Sequence, residues 1–229
     1  MSRKQQPVVS LDPISTTRKK QYSVVSRLFK TRHYGGKGTK KTDEFGHYLF
    51  CGKQRSGKTV SMLWYAEKLK KKYEKCHRKV YLFSNMGIGY PVNKMSISNT
   101  IRQIQYDPLK VYINMLDELH GYFPKDTKNK ALLEEIDKLT ADFSQLGKRQ
   151  IYVLSTAQVY GRVHKNLREQ CLYMVHCRRS KLSNRIVSDF IDGDDIMCDE
   201  LGRWAGIPKK IMVHGLPKLK FDTHQMIVS

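Results

Sequence analysis

The sequence predicts an α/β fold, with a mainly parallel central sheet flanked by helices, a basic flexible N-terminal arm and a small C-terminal antiparallel element. Three observations lead there. Short apolar runs alternate with stretches whose apolar residues recur at helical spacing, which implies parallel strands joined by crossover helices. The octet GKQRSGKT (residues 52–59) stands between one such run and one such stretch. A further apolar run, VYINML, ends in two adjacent acids, Asp117 and Glu118.

Taken in order, residues 1–42 hold eleven Lys and Arg side chains and one acid, Asp12, among scattered Ser, Thr and Gly. Such a segment buries too little apolar surface to fold alone, so it reads as a basic arm, in which YSVVSRLF (22–29) could dock as a short strand or helix. Residues 43–229 read as one domain. HYLFCG (47–52) is a buried strand, and Met62, Leu63, Ala66 and Leu69 mark one face of the helix after it. KVYLFS (79–84) is the next strand, followed by a loop over 85–99 punctuated by Gly, Asn and Pro. VYINMLDE (111–118) is a buried strand ending in acids, and Asn114 inside it needs a hydrogen-bond partner. A long helix over 128–146 carries Leu132, Leu133, Ile136, Leu139 and Phe143 on one face, with Gly147 as its C-cap. QIYVLST (150–156) and CLYMVH (171–176) are strands, separated by a short polar helix in VHKNLREQ. Beyond a cluster of acids (Asp192, Asp194, Asp195, Asp199, Glu200), the runs IMVHG and LKFD read as an antiparallel edge or small cap.

Composition narrows the class. The 229 residues carry 42 Lys+Arg against 21 Asp+Glu, a net charge of +21, which calls for an anionic partner. No run of about 18 apolar residues occurs and the start lacks the apolar core of a secretory signal, so neither a membrane span nor export is expected and the site of action reads as intracellular. The five cysteines (51, 76, 171, 177, 198) show no CxxC spacing, which argues against a disulfide framework and a zinc ribbon.

The octet fits G-x-x-x-x-G-K-[ST] in the strand-to-helix context that motif requires. Gly52 and Gly57 allow the backbone amides of Lys53, Gln54, Arg55 and Ser56 to turn toward a phosphate, and the helix starting near Lys58 adds its positive end. Lys58 then meets the β- and γ-phosphates of ATP, and Thr59 and Asp117 bind Mg²⁺. Glu118, one residue on, can polarise a water for hydrolysis, whereas a kinase needs an acceptor pocket and an Arg-rich lid that the sequence does not display. In YVLSTAQ, Ser155, Thr156 and Gln158 end the neighbouring strand near the γ-phosphate level, and Gln158 is the candidate to sense it or to orient the water. The bland alternatives are a Gly-rich turn, a solvated strand end and simple Ser/Thr capping.

GKQRSGKT, YINMLDEL and IYVLSTAQ with VYGRVHKNLREQCLYMVH together resemble the FtsK–HerA superfamily of P-loop ATPases. Within it they are most similar to viral genome-packaging ATPases, with the Zot-like proteins of filamentous phages as relatives. KFDTHQMI (220–227) is similar to an aromatic-Asp-Thr element of such proteins. The resemblance spans about residues 47–175. It implies a RecA-like P-loop NTPase core working as a homo-oligomeric ring on double-stranded DNA without sequence preference, with capsid or portal-vertex proteins as partners and a site in the host cytoplasm or on the virion. It also implies a glutamine directly after the Ser/Thr pair of the sensor strand, whereas here Ala157 intervenes, so that either Thr156 or Gln158 fills the sensing role, and an arginine donated by a neighbouring subunit. No Arg precedes Gly147, so Arg149 is the leading candidate for that arginine, with Arg162 and Arg168 as alternatives. Arg162, His164, Lys165, Arg178, Arg179 and Lys181 are the candidate DNA contacts. Two other readings remain open at this stage: a Zot-like assembly ATPase acting on single-stranded DNA, and a basic nucleic-acid-binding structural protein with a vestigial nucleotide site. The RKK near residue 18 serves a nuclear signal as well as a DNA-binding arm.

Overall fold

The computed structural model describes residues 32–33, 44–86, 93–94, 97–180, 183, 185–199 and 203–215. Nearly all of the expected arm, Lys181 and the KFDTHQMI segment lie outside the described residues. Among the described residues nine strands form one sheet in the order β1-β11-β8-β7-β2-β6-β5-β3-β4: β1 (Arg32–His33), β2 (Gly46–Cys51), β3 (Lys79–Ser84), β4 (Asn93–Lys94), β5 (Lys110–Leu116), β6 (Ile151–Ala157), β7 (Cys171–Arg179), β8 (Arg185–Asp192) and β11 (Pro208–Gly215). The short strands β9 (Met197–Cys198) and β10 (Trp204–Ala205) pair separately. Helices are α1 (Lys58–Glu74), α2 (Ile97–Gln103), α3 (Leu119–Tyr122), α4 (Lys130–Phe143), α5 (Leu146–Arg149) and α6 (Lys165–Arg168).

From β4 through β7 every pairing is parallel. All these strands therefore end on the same edge, where the loops after β2, β5 and β6 meet. The central strands are buried on both faces, as unbroken apolar runs require: all six residues of β2 and all seven of β6 are buried. On one face α1 packs Met62, Leu63, Tyr65, Ala66 and Leu69 against Tyr48, Phe50, Ile113, Tyr152 and Leu154. On the other, α4 packs Ile136, Leu139 and Phe143 against Leu49, Leu116, Ile151 and Val153. Asn129 caps α4, its side chain accepting from the amides of Ala131 and Leu132. Among the described residues no helix is long and apolar enough to cross a membrane.

Two local expectations are corrected. The long helix stops at Phe143 with Ser144 as C-cap, and Gly147 lies inside the separate helix α5. The left-handed residue that ends the turn is Gln150 (φ 59°), so Gly147 is not a C-cap. VYINMLDE is a strand only to Leu116, with both acids in the turn that follows. The small C-terminal antiparallel element is present: β9 and β10 pair antiparallel, and IMVHG lies in β11 as an antiparallel edge of the main sheet, while LKFD lies outside the described residues. The run RIVSDFID, broken by Ser188 and Asp189 and so missed by apolar pattern, forms β8, and β7, β8 and β11 continue the main sheet antiparallel. Its polar residues have partners: the Ser188 hydroxyl donates to the buried Ser61 Oγ (3.0 Å), and Asp189 accepts from the exposed Arg178 (3.1 Å). A two-residue strand from the arm, β1, pairs with β11 at its outer edge.

Candidate nucleotide-binding site

The turn between β2 and α1 is shaped by what it touches. A Cβ on Gly52 would lie 2.4 Å from the Cys177 carbonyl oxygen, so β7 passes too close for any side chain there. Gly57 has φ +93°, and its Cβ would fall 2.5 Å from Ile186 Cδ1. Arg55 also has a positive φ (61°). Helix α1 begins with the Ser61 amide donating to the Gly57 carbonyl (2.8 Å), and its first turn holds no acid to offset the positive end. The Lys58 side chain is buried with its ammonium donating to the Lys53 carbonyl (3.4 Å), while Ser56 Oγ is buried without a protein partner. Lys53, Gln54 and Arg55 are exposed around this cradle.

Across the sheet edge one carboxylate gathers the neighbouring loops. Asp117 Oδ1 accepts from Thr59 Oγ1 (3.0 Å) and from Thr156 Oγ1 (2.6 Å). The Thr156 oxygen in turn accepts the Glu118 amide (2.9 Å). Asn85, just beyond β3, holds the backbone of Asp117 from both sides: its Oδ1 accepts the Asp117 amide (2.9 Å) and its Nδ2 donates to the Asp117 carbonyl (3.1 Å). Glu118 is left-handed (φ 55°, ψ 47°), a conformation that costs a non-glycine residue of order 1–3 kcal/mol and persists only when its surroundings fix it. Its carboxylate Oε2 lies 3.3 Å from His120 Nε2.

The sequence matches no protein-family model and no curated protein. Solved structures do resemble it. The N-terminal domain of zonular occludens toxin from Neisseria meningitidis aligns with a TM-score of 0.50 at 16% identity, over 76% of this chain and 96% of that one. The genome packaging NTPase of Sulfolobus turreted icosahedral virus 2, in complex with ATP-gammaS, aligns at 0.43 and 11%, over 76% and 98% of the two chains. The chain has a RecA-like P-loop NTPase fold. Residues 52–59 form the turn from β2 into α1, and Asp117 and Glu118 directly follow β5.

The other predicted site residues distribute as follows. Thr156 and Gln158 divide the end of β6: Thr156 is fully buried and bonded to both acids, whereas Gln158, one residue past the strand, is half-buried. Arg149 is drawn inward, donating to Asp142 Oδ1 (3.4 Å) and the Ile101 carbonyl (3.5 Å), and Arg102 binds the same Asp142 (3.2 Å). Arg168 donates to Cys198 Sγ (3.1 Å) and lies over the Tyr160 ring. Arg162 is exposed, His164 is half-buried, and exposed Lys165 pairs with Glu169 (3.7 Å). Arg178 and Arg179 are exposed at the end of β7, just beyond the level of the P-loop strand, since Cys51 is in register with His176. Asn114 is buried and donates to the Tyr152 carbonyl (3.3 Å).

Several functional contacts escaped the sequence. Asn85 had one usable signal, a polar residue directly after an apolar strand. His47 had none. It is fully buried, with Nε2 2.6 Å from Ser155 Oγ and Nδ1 3.2 Å from Cys171 Sγ. Burial holds its pKa down to about 3, against a smaller opposing effect of the Leu167 backbone. Burial likewise pushes the Cys51, Cys171 and Cys177 thiols up, so they are packed and unreactive.

Proposed function

We propose that the protein is an ATP-hydrolysing DNA translocase that packages double-stranded viral DNA into a capsid, working as a homo-oligomeric ring docked on capsid or portal-vertex proteins. The observation that supports this best is the single hydrogen-bonded array from Thr59 through Asp117 and Thr156 to Glu118. It fixes the P-loop hydroxyl and both acids relative to one another before nucleotide arrives, which is the positioning that phosphoryl transfer to water demands.

A hydroxyl and a carboxylate oxygen converging at 3.0 Å are the hard oxygen donors Mg²⁺ takes, so Thr59 and Asp117 would hold it. When bound it offsets charge on the phosphate oxygens. The P-loop amides and the Lys58 ammonium bind the β- and γ-phosphates, the ammonium leaving the Lys53 carbonyl to do so. Glu118 accepts a proton from the attacking water, and Gln158 orients that water or reads the γ-phosphate. Among the arginines considered for action across a subunit interface, Arg162 is exposed, whereas Arg149 is engaged with Asp142. Arg162 is therefore the better candidate. His164, Lys165, Arg178, Arg179 and Lys181 grip DNA phosphates, with the arm of residues 1–42 as an accessory tether.

Purified protein should hydrolyse ATP, and Lys58→Ala should abolish both binding and turnover. Absence of turnover with and without DNA would leave only the structural-protein reading. Duplex DNA should stimulate more than single strands, and the reverse order would favour the Zot-like assembly ATPase. In mixed rings, Lys58→Ala subunits that keep Arg162 should partly restore Arg162→Ala subunits, and no restoration would exclude Arg162 as the trans residue.

A further inference from the structure

The antiparallel half of the sheet touches the nucleotide site at two adjoining points. In the register of β8 and β11, Ile186 lies opposite His214. Ile186 is the side chain that crowds Gly57, and His214 reaches the first turns of α1. The Ser61 hydroxyl lies 3.0 Å from His214 Nε2, and Ser188, on β8, donates to the same Ser61 oxygen (3.0 Å). His214 Nδ1 stands 2.9 Å from the Gly215 carbonyl. A carbonyl only accepts, so Nδ1 carries the hydrogen and Nε2 is the acceptor for Ser61. The chain from Ser188 through Ser61 and His214 to Gly215 therefore runs in one direction, and Ser188, Ser61 and His214 are all buried. Burial also lowers the His214 pKa, against a smaller opposing effect of the Gly215 backbone, which keeps Nε2 bare at neutral pH. One turn further along α1, the Trp64 ring stacks on His214 with centroids 4.9 Å apart and planes 14° apart.

The place of Ser61 gives this chain its reach. The Ser61 amide donates to the Gly57 carbonyl (2.8 Å), the bond that joins α1 to the turn before it. Thr59, two residues earlier, points about 200° round the helix from Ser61 and is held by Asp117 on the β5 side (3.0 Å). The start of α1 is thus gripped from two sides, by Asp117 on one and by Ser188 with His214 on the other. Amides at a helix start hold an anion only while they converge on it, so the position of this turn sets the strength of phosphate binding.

We propose that His214 is a positioning residue for nucleotide binding: through Ser61 it fixes the first turn of α1, and with it the amides and the Lys58 side chain that meet the phosphates. The proposal rests on the reading of residues 52–59 as the phosphate cradle, and it adds to that cradle a group 153 residues from Ser61 in the chain.

The test measures binding of a fluorescent ATP analogue and steady-state turnover on the full chain. His214→Phe keeps a ring to stack on Trp64 but gives Ser61 no acceptor. Its nucleotide Kd should rise between about 3-fold and about 30-fold, within what one buried hydroxyl left without an acceptor costs. KM should rise in step while kcat changes by less than about threefold, because Thr156 and Asn85 hold the acids from the other side. His214→Gln, whose Oε1 can accept from Ser61, should recover most of the affinity. Ser61→Ala should weaken binding as His214→Phe does, and the double variant should be no weaker than either, since the ring acts through that hydroxyl. Ser61→Ala also carries the test if His214→Phe folds poorly. Ile136→Val trims the core on the opposite face of the sheet, so it should lower the urea midpoint and leave the nucleotide Kd unchanged. The proposal is overturned by parental affinity in His214→Phe and Ser61→Ala, by additive losses in the double variant, by His214→Gln binding no better than His214→Phe, or by an equal loss in Ile136→Val. A parent chain that binds no nucleotide defeats the phosphate-cradle reading and this proposal with it, whereas a parent that binds while these variants bind as well defeats this proposal alone.

Discussion

Replacing Thr156 with valine removes one hydroxyl and almost no volume, at a residue with no solvent exposure. Two bonds go with it: the one donated to the Asp117 carboxylate (2.6 Å) and the one accepted from the Glu118 amide (2.9 Å). A hydrogen bond to a charged group contributes about 1.5–3 kcal/mol, and a buried amide left unpaired costs about 1–3 kcal/mol. Asp117 keeps its bond from Thr59 and both acids are only half-buried, so water recovers part of the sum. The expected loss is about 2–4 kcal/mol in urea unfolding. The left-handed Glu118 loses the anchor of its backbone, and its carboxylate should then sample orientations that miss the water. The kinetic signature is a fall in kcat of roughly tenfold or more with nucleotide affinity changed by less than about threefold, because binding rests on the P-loop. Thr156→Ser keeps the hydroxyl and should keep both properties to within about 1 kcal/mol. A Thr156→Val protein as stable and as active as its parent would refute Thr156 as the organiser of the two acids.

Other outcomes follow from the same structure. Asn85→Ala should lower kcat and cost about 1–3 kcal/mol in urea unfolding, since the Asp117 backbone loses both contacts, and unchanged values would contradict that role. Gly52→Ala should destabilise by about 2 kcal/mol or more, because the Cys177 carbonyl it meets belongs to a central strand and cannot move aside. Gly57→Ala should be milder and should improve when combined with Ile186→Val, which removes the methyl nearest the new Cβ. For His47 the folded pKa of about 3 lies below its unfolded value of 6.5. The neutral ring's contribution is therefore fully present above pH 6.5 and is lost as pH falls toward 3, at roughly 1.4 kcal/mol per pH unit or about 2 kcal/mol by pH 5. Burial also lowers the pKa of His176 and His214, which act in the same direction. A urea-derived stability that is flat between pH 7.5 and 5 would contradict this.

The parallel half of the fold was legible because β2, β5 and β6 are apolar on both faces and the P-loop octet marks one crossover. The antiparallel half was legible only in part: CLYMVH and IMVHG read as strands and became β7 and β11, but β8 did not. In β8, Ser188 and Asp189 interrupt the apolar pattern, and their partners Ser61 and Arg178 lie 127 and 11 residues away, so only tertiary structure explains their burial. The same holds for the site. Residues 52–59 and the acid pair were readable from local pattern, whereas the clamp by Asn85 depends on β3 lying beside β5, which the sequence does not reveal. Thr156 was weighed against Gln158 as a sensor, but its hydroxyl is engaged with Asp117 and Glu118. Arg149 was selected by its proximity to Gly147 in sequence, and the buried carboxylate of Asp142 that captures it sits seven residues back on α4.

The claim that this array hydrolyses ATP to move DNA is tested most directly by Glu118→Gln. ATP turnover is measured with and without duplex DNA at two salt concentrations, alongside fluorescent-nucleotide binding. The parent should turn over ATP faster with DNA, with less stimulation at higher salt, while Glu118→Gln should bind nucleotide as tightly and lose turnover by about 100-fold or more. Turnover that survives Glu118→Gln, or a parent that binds ATP yet never hydrolyses it with DNA present, would contradict the account.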